Sequence, residues 1–351
     1  MSTIILTGGG TAGHCTPNLA LYPYLKNDFS KIIYIGSENG IEKKIIQNTE
    51  IPYYSIPCAK YNRTNKKKNL KLPFKVFAGI VESGKIIDKI KPDVVFSKGG
   101  YVSVPTVIAA SIRKIPVISH ESDYTLGLAN KISAKFSKKV LTSFPDTAKS
   151  IKNGEFVGPP IRNSILNVER HKALDFFGFS GKKPILLVTG GSQGAKIIND
   201  TLRKALPDLL IKYDILHICG KNNLLQDEMF DGYHQIEYID KMEYALNVAS
   251  ICVSRAGSNT LFELMCLKIP CVLIPLPKGT SRGDQIANAD YFQKKGLVTV
   301  LPQNVLTTNS LITAINSTYL NRFNILRNFD ANPINDASRQ ISRIIADYVP
   351  L

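Results

Sequence analysis

The sequence predicts an α/β chain of two nucleotide-fold domains, each a parallel sheet covered by helices. Three observations lead there. Short β-branched runs alternate with stretches of helical spacing along all 351 residues, as repeated βαβ units require. The runs are continuously apolar, as strands covered on both faces are. A strand that enters a glycine turn and then a helix occurs near the start and again near the middle, so each opens about one domain's worth of chain.

Taken in order, strands are expected at Thr3–Thr7, Lys31–Ile35, Val94–Ser97, Val117–Ser119, Val140–Ser143, Ile185–Thr189, Ile215–Cys219, Ile236–Tyr238, Ile251–Ser254 and Cys271–Ile274. Helical spacing covers Asn18–Asn27, Val104–Arg113, Lys196–Leu210 and Thr260–Leu267. The stiff turn Gly158-Pro159-Pro160 separates the halves. The expected domains are therefore residues 1–158 and 159–331, with 332–351 forming one more helix.

Composition narrows the function classes. With 44% hydrophobic residues the chain has enough apolar content for ordinary cores. No apolar run reaches the roughly 18 residues needed to cross a bilayer. The opening MSTIILTGGG reads as a strand entering a turn, without the pattern of a signal peptide. Lys and Arg total 44 against 28 Asp and Glu, and the net charge of +16 points to an anionic partner. The six cysteines form no C-x-x-C pair and sit mostly in apolar surroundings, so buried free thiols in a reducing cytosol are expected.

The glycine turns carry the chemistry. A turn after a strand lets amides approach a ligand, and the following helix N-terminus adds about half a positive charge. Gly8-x-Gly10-x-x-Gly13 matches the dinucleotide fingerprint, with Glu38 as the candidate ribose acid just beyond the second strand. The Gly-Lys-Ser/Thr ending of a P-loop is missing, which disfavours nucleoside triphosphate hydrolysis. Gly190-Gly191-Ser192-Gln193-Gly194-Ala195 is the equivalent turn of the second half. A third turn at Gly99-Gly100 is either another anion site or a plain helix entry. Two phosphorylated ligands are the natural reading. Residues 60–77 interleave Lys60, Arg63, Lys66, Lys67, Lys68, Lys71 and Lys75 with Leu70, Leu72, Phe74, Val76 and Phe77. They form either a solvated loop leading into a core helix or a peripheral contact with an anionic membrane surface. No nucleic-acid module accompanies the charge, so nucleic acid is not an expected partner.

Gly9-Gly10-Thr11-Ala12-Gly13-His14 with Pro17-Asn18-Leu19-Ala20 resembles the N-terminal signature of the MurG family of peptidoglycan glycosyltransferases. Matching motifs follow in order: Gly99-Gly100-Tyr101-Val102-Ser103, His120-Glu121, Gly127 to Lys131, Gly158-x-Pro160-Ile161-Arg162, Gly190 to Ala195, Arg255-Ala256-Gly257, Glu263 and Gln285-x-x-Asn288-Ala289. The resemblance implies a GT-B fold, two Rossmann-like domains facing a cleft, with the last helix returning to the N-terminal domain. It implies inverting transfer of N-acetylglucosamine from UDP-N-acetylglucosamine to the 4-hydroxyl of the muramyl sugar of lipid I, giving lipid II, at the cytoplasmic face of the cell membrane.

The same resemblance implies the site. Gly9, Gly10, Gly99, Gly100 and Tyr101 face the acceptor. Thr11, Ala12, Gly13 and Asn130 line the substrate from the N-terminal domain. Arg162, Ser192, Gln193 and Gly194 meet the donor diphosphate, and Ile239 lines the uracil pocket. Ser258, Asn259, Thr260, Leu261 and Phe262 lie beside the nucleotide, Glu263 takes the ribose hydroxyls, and Asp284 and Gln285 reach the ribose or transferred sugar. His14 is the first choice of general base, being an imidazole at a helix start. Asp123 and Glu121 are the competing carboxylates. The family usually reads His-Glu-Gln-Asn where this chain has His120-Glu121-Ser122-Asp123, and an ionised carboxylate cannot donate as the amide would. His171, His217 and His234 match no site motif and are read as structural. No Asp-x-Asp pair occurs, so neither a bound metal nor another cofactor is implied. The competing readings are a UDP-sugar hydrolase or epimerase on the same fold, an NAD-dependent dehydrogenase resting on the first fingerprint alone, and a non-catalytic basic membrane or nucleic-acid binder.

Overall fold

The computed structural model describes residues 2–61, 69–191, 193–225 and 230–349. The chain forms two compact units, residues 1–162 with 336–351 and residues 163–335. In the N-terminal unit seven strands make one sheet: β1 (Thr3–Thr7), β2 (Lys31–Ser37), β3 (Tyr53–Ile56), β4 (Val94–Ser97), β5 (Val117–Glu121), β6 (Lys139–Thr142) and β7 (Gly154–Phe156). Their order is β3-β2-β1-β4-β5-β6-β7, and each neighbouring pair is parallel. The C-terminal unit has β8 (Ile185–Thr189), β9 (Asp214–Ile218), β10 (Tyr233–Ile236), β11 (Ile251–Ser254), β12 (Cys271–Leu273) and β13 (Thr299–Val300). They are ordered β10-β9-β8-β11-β12-β13, again all parallel.

Burial on both faces explains the apolar strands. Ile4 and Leu6 of β1 pack with Leu21 and Leu25 of helix Thr16–Asp28 and with Ile341 and Ile345 of helix Ser338–Ala346. Ile5 faces the other way, into Ile86, Ile87, Val107 and Ala110 of helices Leu72–Ile90 and Ser103–Ile112. In the C-terminal unit Leu186 and Val188 meet Ile198 and Leu202 of helix Lys196–Leu209.

The last helix is narrower than 332–351, and it belongs to the N-terminal unit. Asp336 ties it down: Oδ1 accepts from the amides of Ile161 (2.8 Å) and Ser338 (2.9 Å). The Ala337 amide donates to the Pro159 carbonyl at 2.9 Å. All six cysteines are free.

Sequence reading and structure part at the sheet margins. β10 spans Tyr233–Ile236 where Ile236–Tyr238 was expected, and β3, β7 and β13 were not anticipated. The central strands lie where expected to within a few residues.

In each sheet the chain order reverses once, between β1 and β4 and between β8 and β11. Crevices at the carboxyl ends of such reversal points are the ligand sites of open α/β sheets. The fold places the turn after β1 beside the turn after β4, and the turn after β8 beside that after β11.

Candidate active site

In the N-terminal unit the two glycine turns are packed against each other. The Gly9 amide donates to the Gly99 carbonyl at 3.2 Å. Gly100 has φ +80°, and a Cβ there would lie 2.1 Å from the Gly9 carbonyl oxygen. Gly99 has φ +95°, and its Cβ would strike the Asn130 carboxamide. These glycines are required by close approach of the chain to itself. The Gly10 amide donates to Glu42 Oε2 at 3.0 Å. Glu42 is fully buried and also accepts from the Ser37 amide (3.1 Å) and hydroxyl. Gly9 and Gly10, expected at the acceptor, thus have their N–H groups engaged within the unit. Thr11 is exposed, while Ala12, Gly13 and His14 are half-buried in the short turn that precedes helix Thr16–Asp28.

His14 Nδ1 lies 3.0 Å from Thr11 Oγ1. This contact sets the requirement on the base. Nε2 can take a proton only in the tautomer whose Nδ1–H donates to the Thr11 hydroxyl.

Below these turns lies a cluster of buried charge. Lys98, immediately after β4, is 1% exposed, and its Nζ donates to Ser122 Oγ. Burial pulls its ammonium down to about 8, against the opposing pull of Glu121 and Asp123. His120 is fully buried and held well below its usual range, first by desolvation and then by the Lys98 charge. Its Nε2 lies 3.2 Å from the Gly158 carbonyl, with Nδ1 lacking a partner. Glu121 is 4% exposed. Its Oε1 accepts from the Asp123 amide at 2.9 Å. Its Oε2 accepts from the Gly127 amide at 3.1 Å and from Asn130 Nδ2 at 2.9 Å. Glu121 therefore shapes the 121–130 loop, whereas Asp123 and Tyr101 are half-buried at its edge.

In the C-terminal unit the Gly190–Ala195 turn leads into helix Lys196–Leu209. The Gly194 amide donates to Gly191 O at 2.8 Å, and Gln193 is exposed. Ser192 lies outside the described residues. Beside this turn, helix Ser258–Cys266 starts directly after Arg255-Ala256-Gly257, with Ser258, Asn259, Thr260 and Glu263 half-buried. Leu261 and Phe262, expected at the nucleotide, turn into the core, where Phe262 packs edge-on to Phe292 at 5.5 Å. The helical period points the fourth and fifth residues of this helix inward. Arg255 donates to the Ile274 carbonyl at 2.9 Å, and Asn288 Nδ2 to Ala256 O at 3.2 Å. Gln285 Oε1 accepts from the Leu276 amide at 3.1 Å, so it braces the loop after β12. Asp284 pairs with Arg282 at 3.4 Å. Ile239, expected at a strand end, lies half-buried in the loop three residues past β10. Arg162 is half-buried and is the last residue of the N-terminal unit's first segment.

Residues 4–142 match the glycosyltransferase family 28 N-terminal domain, and residues 185–344 match the family 28 C-terminal domain. Over 318 residues the chain is 50% identical to the UDP-N-acetylglucosamine--N-acetylmuramyl-(pentapeptide) pyrophosphoryl-undecaprenol N-acetylglucosamine transferase 2 of Bacillus anthracis, covering 89% of this chain and 90% of that one. The chain is a MurG-type member of glycosyltransferase family 28. A Clostridium perfringens transferase of the same name, without the number, is 46% identical over 346 residues, 97% of each chain. The crystal structure of Acinetobacter baumannii MurG superposes with a TM-score of 0.77 over 99% of this chain and 100% of that one at 23% identity, which establishes a shared GT-B fold. A UDP-GlcNAc 2-epimerase from Neisseria meningitidis also shares it, with a TM-score of 0.67 at 15% identity over 99% of each chain. Fold alone thus leaves epimerase and transferase together; the 46–50% identity to transferases separates them.

Within this family 28 frame, sequence reasoning located both glycine turns but missed three supports. Lys98 and Glu42 carry the N-terminal edge, and Arg255 clamps the loop after β12. A lysine inside the motif Ser97-Lys98-Gly99-Gly100, at the end of an apolar strand, was the available signal for the first. Nothing local marks Glu42, which sits on a short helix with Lys43 and Lys44 and looks like a solvated carboxylate.

Proposed function

We propose that this chain transfers N-acetylglucosamine from UDP-N-acetylglucosamine to the 4-hydroxyl of the muramyl sugar of lipid I, with inversion, giving lipid II for peptidoglycan. The observation that carries this reading is identity of 46–50% to transferases named for that reaction over 89–97% of the chain. The residues around both sheet reversals suit the chemistry. Acceptor residues belong to the N-terminal unit, and donor residues to the C-terminal unit apart from Arg162, which ends the N-terminal unit's first segment.

His14 Nε2 takes the proton from the attacking hydroxyl, and Thr11 holds the tautomer that leaves this nitrogen able to accept. Glu121 is the scaffold of the neighbouring loop, because both of its oxygens already accept from the 123–130 segment. Asp123 is the alternative base. The 190–195 turn, the start of helix Ser258–Cys266 and Arg162 supply donors to the charge that grows on the diphosphate as UDP leaves. Ser192 joins them on the strength of the motif alone. Glu263 receives the ribose hydroxyls, and Gln285 keeps the loop after β12 in place.

The lipid-linked acceptor also calls for a membrane-facing surface. Among the described residues no helix is long and apolar enough to cross a membrane. Leu70, Phe74, Phe77 and Val81 recur at helical spacing and are 74%, 77%, 68% and 44% exposed, with Lys71 and Lys75 exposed beside them. This stripe enters the interface of the cytoplasmic leaflet while the lysines meet anionic headgroups. Arg63, Lys66, Lys67 and Lys68 lie outside the described residues.

The test is UDP release from UDP-N-acetylglucosamine with and without a short-chain lipid I analogue. Release that requires the acceptor supports transfer; release that ignores it supports hydrolysis or epimerisation. Flotation with phosphatidylglycerol vesicles, lost in Phe74→Ser/Phe77→Ser and absent with phosphatidylcholine, tests the membrane face.

A further inference from the structure

Lys98 is the one buried lysine or arginine among the described residues, and the mechanism above makes no use of it. An isolated buried ammonium costs several kcal/mol. A fold that retains one has placed it against specific partners. Lys98 sits where three strands end. Its amide donates to the Thr7 carbonyl of β1 at 2.9 Å, its chain continues into Gly99-Gly100, and its Nζ donates to Ser122 just beyond β5. Glu121 and Asp123 flank Ser122, and both act on the Lys98 charge. Ionisable groups near this point include His120 within β5, kept neutral by burial, Tyr101 after Gly100, His14 on the turn after β1, and Glu42 beneath that turn. Uncompensated carboxylate charge at an edge that takes a diphosphate-bearing acceptor would repel it. Lys98, directly after β4, is the buried cation that opposes the two carboxylates.

We propose that Lys98 is a positioning residue for the transfer: its ammonium, tethered to Ser122, holds the Asp123 loop against the Gly99–Tyr101 turn and offsets the Glu121 and Asp123 charge at the acceptor edge. The inference rests on the transferase reading. It predicts that the acceptor edge works only while Lys98 is protonated. Burial has brought that proton within reach of ordinary alkaline buffers, since the ammonium lies at about 8.

The experiment is acceptor-dependent UDP release across pH 6–10 for wild type, Lys98→Met and Ser122→Ala. Wild type must first show acceptor-dependent release; if it does not, the transferase reading itself fails, and this inference falls with it before any variant is compared. Given that release, wild-type turnover should fall as pH rises through about 8. Lys98→Met should lose on the order of tenfold to a hundredfold in turnover at pH 7, the scale of a misplaced reacting group. Its acceptor KM should rise, its UDP-N-acetylglucosamine KM should stay, and its alkaline limb should vanish. Ser122→Ala removes an acceptor from the ammonium, so its alkaline limb should move to lower pH. Lys98→Met activity within about twofold of wild type, or an alkaline limb that is the same in all three proteins, would overturn the proposal. Should Lys98→Met fail to fold, the limb of Ser122→Ala decides: a shift supports the proposal and an unchanged limb overturns it.

Discussion

The N-terminal unit braces its ligand edge with buried charge, and the C-terminal unit braces its own with groups that keep one protonation state. Around β1, β4 and β5 the loops hang on Glu42, Lys98 and Glu121, all essentially buried. Around β8, β11 and β12 the equivalent work is done by Asn288 on Ala256, Gln285 on Leu276 and the Arg255 guanidinium on Ile274. An arginine stays charged throughout the working range. The same topology is therefore stabilised in two ways. One edge is tied to protonation and suits a step that moves a proton; the other holds a constant charge state, which suits the diphosphate contact proposed for it.

Five expected outcomes sharpen or break this contrast. His14→Ala should lower acceptor-dependent turnover by about a hundredfold or more, the usual scale of a lost general base, with donor KM unchanged. Near-normal turnover would move the role to Asp123. Glu121→Gln should lower unfolding stability by about 2–3 kcal/mol, because one of its oxygens becomes an NH₂ facing N–H donors. Calorimetry should show the loss in the N-terminal unit's transition; an unchanged thermogram would mean the charge is not what braces the loop.

His217 tests the other unit through pH. It is fully buried between Tyr233 and Asn199, and desolvation, aided by the Arg203 charge, lowers its pKa to about 3. Its folded pKa lies below the unfolded value, so its stability contribution is complete above about 6.5. It is lost as pH falls from there towards 3. At pH 5 the loss should be about 2 kcal/mol, and His217→Gln should flatten the acid limb of denaturant midpoints. Gln285→Ala should raise donor KM by about tenfold, the scale of one lost bracing hydrogen bond, and leave acceptor KM alone. Donor affinity should also be flat from pH 6.5 to 9, whereas turnover should fall over that range. A donor KM that tracks turnover across that range would erase the contrast.

The sheet centres were legible and the edges were not. β1, β4, β8 and β11 are short apolar runs ending in turn signals, and their bounds match the residues expected. β3, β7 and β13, unanticipated, and β10, displaced, are all edge strands. Edge strands need little apolar content: Gly154-Glu155-Phe156 and Thr299-Val300 become strands because a neighbour offers backbone groups in register. Among site residues, the glycine turns lie at the strand ends where the motifs put them, and the structure adds what their amides bond to. The motif places Gly9 and Gly10 at the acceptor; only the structure shows that their amides donate to Gly99 and Glu42.

The order of strands, turns and helices and the two-part division come from local pattern, because hydrophobic runs and glycine turns are encoded within a few neighbouring residues. The family follows from motifs in their order along the chain. Which side chains share a site was decided only by the fold. Strand reversal brings Gly9 beside Gly99, separated by 90 residues, and seats Lys98 against Ser122 and Glu42 under Gly10. Burial then sets the charge of each group, and burial depends on everything packed around it rather than on its neighbours in sequence.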